Sequence, residues 1–207
     1  MATYYFQGLP ISAPFTIESK KVVLSSETAS FKSYRRSGEG QRWDLTFTLL
    51  TDKPEDIFVD MLDNDVEISS MIMPQLTSVD KLINNITVYP TVLQQRVAGQ
   101  SEIAINASSS GSYDNNTKAI PKGSFIQFAN HDKIYAVKSE VSANAYVNMN
   151  IFPALQATVP PNTQIRLSNT PIKPEFTYTR NVDQISGITF SDGLLVDVGS
   201  ITLKEEV

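Results

Sequence analysis

The residues that could do chemistry in this chain are few and scattered. His131 and Asp132 adjoin within Asn130-His-Asp-Lys133, and a His-Asp pair facing one substrate could exchange protons with it. Neighbours in a tight turn point apart, however, so a turn histidine is the ordinary reading. No serine or lysine stands in a nucleophile motif. Asp63, Asn64, Asp65 and Glu67 begin like a calcium loop, but the glycine and the later acidic ligand are missing. A solvated helix end explains them. Gly38-Glu-Gly40 precedes a strand pattern rather than a helix, so it is no phosphate loop. Asp192-Gly193 is a hairpin turn. The triplets at Asn85, Asn106 and Asn115 match the glycosylation pattern by chance. With no cysteine and one histidine, disulfides, thiolate nucleophiles and zinc sites of the usual kind are excluded. No carboxylate pair has the spacing glycoside hydrolysis needs. The expectation is a chain with no catalytic, metal or cofactor site, not an enzyme.

Binding chemistry offers more. Tyr113, in the polar run 108–116, and Tyr146 could stack on sugar rings, the role of a carbohydrate-binding module. The plain alternative is that Tyr146 packs and Tyr113 sits in a loop. Arg35, Arg36 and Arg42 surround a charged segment, Ser33 to Gly40, read as a hairpin loop. Three arginines there suit a salt-bridged contact between subunits, and a solvated loop explains them equally well. The net charge of -5 argues against specific nucleic-acid binding, which needs a basic surface. No apolar run approaches the ~18 residues of a membrane helix, so no membrane partner is expected. The first residues lack a secretory pattern and are read as native.

The elements that would position these residues are mostly strands. Trp43, Leu45, Phe47 and Leu49 alternate with Asp44, Thr46 and Thr48, the period of a half-buried strand. Lys20–Ser25, Thr28–Tyr34, Val66–Met73 and Ile86–Tyr89 are further candidates. One short helix is expected from Asp52, with Pro54 near its first turn and Ile57, Phe58, Met61 and Leu62 as its apolar stripe. From about Ala98 the composition shifts. Ser101–Ala107, Phe125–Phe128, Ile134–Val141, Tyr146–Phe152 and Gln164–Leu167 give about five strands, the size of a small OB-like barrel. Alternation resumes at Phe176 and Tyr178, and this tail is too small to fold alone. The fold class is therefore all-β with one short helix. A β-sandwich belt formed by residues 1–96 and 171–207 carries an inserted OB-like barrel at 97–170.

Three segments carry a family likeness: Asp132-Lys-Ile-Tyr135, Ile151-Phe-Pro-Ala-Leu155 and the closing Ser200-Ile-Thr-Leu-Lys-Glu205. With the split β domain, they resemble the distal tail proteins of long-tailed phages (siphophages), in the short coliphage-type form. The likeness covers about half the chain; residues 1–96 match in pattern more than in letters. It implies a structural virion component at the tail tip, made in the host cytoplasm. Belt domains of six copies would close into a homo-oligomeric ring joining the tail tube protein to the baseplate hub protein. The tape-measure protein would occupy its lumen. The inserted barrel would project outward, toward fibres or host-surface sugars.

Overall fold

A computed structural model describes residues 5–6, 9–27, 33–49, 59, 68–75, 89–107, 118–142, 146–168, 170–179, 185–186, 189–191, 194–197 and 199–206. The chain divides into two compact units. One comprises Met1–Tyr4 and Ser70–Phe176, the other Tyr5–Ser69 and Thr177–Val207.

The second unit is built on a five-stranded sheet. Its strands are β1 (Tyr5–Phe6), β2 (Leu9–Glu27) and β3 (Ser33–Leu49), with β14 (Ile185–Ser186) and β17 (Ser200–Lys204). Their order is β1-β2-β3-β17-β14. Trp43, Leu45, Phe47 and Leu49 turn one way along β3 and are buried, as are Ile201 and Leu203 on β17. Phe6 packs on Phe47 and Tyr178, with ring centroids 5.2 and 5.7 Å away. The opposite face carries Glu18, Lys20, Arg42, Thr46 and Lys204, in register across the three strands. A separate ribbon pairs β15 (Thr189–Ser191) with β16 (Leu194–Asp197). Another pairs β4 (Ile68–Ile72) with β13 (Glu175–Thr179), and the division between the units runs through both strands.

The first unit is a barrel. Its strands are β5 (Thr91–Val92), β6 (Glu102–Asn106), β8 (Phe125–Phe128), β9 (Ile134–Val137), β11 (Val147–Phe152) and β12 (Ile165–Arg166). They follow the order β12-β8-β9-β11-β6-β5. A bridge from Thr91 to Gln164 joins the last strand back to the first, so the edges disappear. Ile103 and Ile105 point inward with Ile126, Phe128, Tyr135, Met149, Ile151 and Leu167. β7 (Lys118–Ile120) and β10 (Val141–Ser142) form a side ribbon. Asn162 takes the left-handed conformation (φ 63°) in the Pro-Pro-Asn-Thr turn, where asparagine is among the side chains that tolerate it. The Phe152-Pro153 bond is cis.

The all-β class stands, with a small OB-like barrel in one unit and a β-sheet body in the other. The short helix is corrected to this extent: every element formed by the described residues is a strand, and Val59 is a lone helical position. The segment expected to form it lies outside the described residues except for Val59, which is exposed. The reading of the sequence sets the insertion at 97–170, whereas the barrel already includes β5 at Thr91. Ser33–Gly40 is not a loop. It is the first half of β3, paired with β2 from Glu27↔Ser33 to Val23↔Ser37. The register then slips between Lys21 and Val23, a bulge that absorbs Gly38 to Gly40.

Candidate functional site

The three arginines are strung along β3 rather than gathered at a tip. Arg35 and Arg36 sit opposite Ser25 and Leu24, and as successive strand residues they belong to opposite faces. Their side chains lie outside the described residues. Arg42 stands near the root of the hairpin, opposite Lys20. Its Nε donates to Asp44 Oδ1 at 3.0 Å, and Asp44 is buried. Arg42 thus already has an intrachain partner.

Beyond Trp43 the hairpin outruns its sheet. β17 pairs with β3 only from Asp44 to Thr48. Glu205 extends the contact by one step, donating its N–H to Trp43 O at 2.9 Å. Its buried carboxylate accepts the Trp43 N–H at 2.9 Å and so takes the place of a strand carbonyl. Past that point, among the described residues, β2 and β3 run on as a two-stranded arm from Lys20↔Arg42 to Glu27↔Ser33. At about 3.4 Å per residue the arm is roughly 24 Å long.

In the barrel, His131 and Asp132 do not form a catalytic pair. His131 Nε2 lies 2.8 Å from the hydroxyl of buried Tyr135, and Nδ1 lies 3.1 Å from Asn130 Oδ1. Asn130 Nδ2 donates to Thr158 O, which aims Oδ1 at the ring. The consistent assignment places the proton on Nδ1, with Nε2 accepting from Tyr135. The Tyr135 oxygen in turn accepts the Gln156 N–H. The imidazole stacks on Phe128. Burial pushes the His131 pKa below the ordinary histidine range, and the Asp132 carboxylate offsets this only in part. The network is a structural clamp on the β8–β9 turn.

Two glutamines, unremarked in the sequence, perform similar work. Gln75 donates to Phe125 O and accepts Phe125 N–H, at 3.0 and 2.9 Å. Its amide thereby behaves as one peptide group of an extra strand. Gln127, fully buried, donates to Asp132 O and Glu175 O and accepts from Arg166 Nη1 and Glu175 N. Only a backbone-like spacing of donor and acceptor on β8 could have hinted at these roles, and composition does not reveal that.

The aromatic candidates part company. Tyr113 lies outside the described residues, as does the calcium-like segment at 63–67. Tyr146 is 81% exposed, so it does not pack. It rims an open recess of about 440 Å³ with Leu93, Gln94, Ala104, Val147 and Asn148. Asn148 sits directly opposite Ala104 on the outward face of the β6–β11 pair. A second recess, about 450 Å³, is bounded by Arg96, Gly99, Gln100, Ser101 and Glu102. Arg96 Nε is itself buried, without a hydrogen-bond partner. An unmatched buried donor costs about 1–3 kcal/mol. No salt bridge joins Arg96 to Glu102. Among the described residues, no three His, Asp or Glu side chains gather as metal ligands. The chain matches no protein-family model and no curated protein.

Proposed function

We propose that this chain is a structural virion component, a distal tail protein whose β-sheet body assembles side by side into a ring. The ring, six-fold by the family resemblance, joins the tail tube to the baseplate hub, with the tape-measure protein in its lumen. The observation that carries this reading is the arm formed by β2 and β3 beyond Trp43. An isolated two-stranded ribbon is marginal in water. Among the described residues no further strand pairs along its outer edges, which makes them a template for another strand. A second copy that pairs along the arm removes both liabilities, and a head-to-tail contact of this kind builds a ring where its rotation closes. Arg35 and Arg36 are placed on the arm by the same register, where they can meet acidic groups of the neighbouring copy.

The test shortens the arm at a natural register point. Residues 22–40 are replaced by Asn-Gly, joining Lys21 to its partner Gln41. The shortened chain should keep its fold by circular dichroism. Mixed with the tube and hub proteins, it should lose the ring seen by native mass spectrometry with the full chain. Equal assembly of both chains refutes the role of the arm. Failure of the full chain to assemble with either partner refutes the ring itself.

A further inference from the structure

We infer that residues 155–159 form a cap on the barrel core, hinged on residues 96–100 and released from the β8–β9 turn when His131 takes up a proton. The cap is stitched on two sides by different kinds of bond. On the hinge side the bonds run from backbone to backbone. Leu155 N–H donates to Gln100 O at 2.8 Å, and Gly99 N–H donates to Leu155 O at 2.7 Å. Arg96 and Val159 exchange both of their bonds, at 3.0 and 2.8 Å. On the other side two side chains hold the cap. Tyr135 Oη accepts the Gln156 N–H at 3.1 Å, and Asn130 Nδ2 donates to Thr158 O at 3.0 Å. Leu155 and Val159 are buried in the same core as Phe128 and Tyr135.

His131 couples these two side chains. Its Nε2 accepts the Tyr135 hydroxyl proton, and its Nδ1–H donates to Asn130 Oδ1. That arrangement fits the neutral ring. A protonated ring carries a proton on both nitrogens, so its Nε2–H meets the O–H it had accepted. Burial disfavours the charged ring, which is better hydrated outside the turn. Asp132, on the same turn, is the charged group that holds the ring back. From β9 the phenol of Tyr135 faces it, and from β8 the uncharged Phe128. The cap itself, Leu155-Gln-Ala-Thr-Val159, brings no ionisable side chain. Once the ring leaves, Asn130 and Tyr135 lose the partner that aims them, and their bonds to Thr158 and Gln156 loosen. The hinge bonds are made by backbone and do not titrate. The cap therefore opens from the turn side and bares Phe128 and Tyr135. This device is independent of ring assembly and is tested on the isolated full chain.

A released ring takes up its proton near the ordinary value of about 6.5, and a latched ring only below it. Opening is thus linked to one proton, and the open fraction rises by up to about tenfold per pH unit below that value. Amide exchange is followed by NMR from about pH 7 to about pH 5, each rate divided by the unfolded-chain rate at the same pH. Protection of the Gln156 amide should fall severalfold on acidification, while Leu155 and Val159 on the hinge side keep theirs. His131→Gln should make the Gln156 profile level. Tyr135→Phe removes the acceptor and should leave Gln156 poorly protected at every pH. Ring nitrogen shifts of His131 at neutral pH should show the proton on Nδ1. Constant Gln156 protection in the unaltered chain overturns the proposal, as does a proton found on Nε2. A fall shared equally by Leu155 and Val159 overturns the hinge, because the barrel is then loosening as a whole. A fall that persists in His131→Gln, or protection that survives Tyr135→Phe, overturns the latch. The profile and the tautomer are read on the unaltered chain, so they decide the matter even where a variant does not fold.

Discussion

Replacing Glu205 by alanine isolates the contribution of a side chain acting as backbone. Glu205 is 5% exposed, and its carboxylate accepts the Trp43 N–H at 2.9 Å. Alanine leaves that N–H without its acceptor, beside a tryptophan that is itself buried. A hydrogen bond to a charged group contributes about 1.5–3 kcal/mol, and the stranded donor is what makes its loss costly. The Glu205 N–H to Trp43 O bond, made by backbone, survives the change. The expected loss is therefore about 2–3 kcal/mol, a sizeable part of the ~5–15 kcal/mol that holds a typical domain together. Trp43 is the only tryptophan in the chain, so its fluorescence reports the unit in which the bond lies. In urea, with a slope of about 1–3 kcal/mol per molar, the midpoint should fall by roughly 1–2 M. Glu205→Gln keeps a neutral acceptor of about half the strength, so its midpoint should fall by about half as much. An unchanged midpoint for Glu205→Ala would refute the argument. So would equal losses for the two variants, because the acceptor would then not matter.

Further expectations concern the barrel. Gln127→Met removes four hydrogen bonds from a fully buried position while keeping side-chain bulk. Some of the freed partners reach water, so about 2–4 kcal/mol should be lost. This should be read as faster amide exchange at Glu175 and along β8, with exchange at Leu45 and Phe47 unchanged. His131 should titrate below the usual histidine pKa, observable without assignment ambiguity because it is the only histidine. Since the unfolded chain takes up this proton first, stability is fully present above about pH 6.5 and is lost as pH falls from there toward the depressed folded value. His131→Gln, which cannot titrate, should flatten that part of the melting-temperature profile; an identical slope in both proteins contradicts the assignment. Phe6→Ala should destabilise the sheet unit by about 3–5 kcal/mol in the same tryptophan-monitored urea experiment, because its ring fills the space between Phe47 and Tyr178.

Where one face of a strand meets a core, its residues announced it. The alternation from Trp43 to Leu49 and the pair Ile103 and Ile105 are buried as their spacing predicts. Asn130-His-Asp-Lys133 turns β8 into β9 because its residues favour a turn and apolar runs flank it. Ser33–Gly40 was illegible for a physical reason: its polar, glycine-bearing letters carry no alternation, and pairing with β2 decides its state. The buried polar residues were equally opaque. Gln75, Gln127 and Glu205 are inside because each completes a backbone ladder, a fact belonging to the partner and not to the residue. The same limit applies to the candidate surfaces. Tyr146 was visible as an aromatic in a β context, whereas Arg96 becomes notable only once its Nε is found buried and unmatched.

Closure of the barrel through Thr91 and Gln164 has a consequence for how this protein fails under stress. A closed wall offers no strand edge to a passing chain, and at Phe125 even the gap beside β8 is filled by the Gln75 amide. Misassembly by strand exchange is thereby steered to the β2–β3 arm, among the described residues the longest unguarded ladder. Concentrated or partly denatured protein should therefore form swapped dimers and fibrils whose protease-resistant segment maps to the arm, with the barrel carried along still folded.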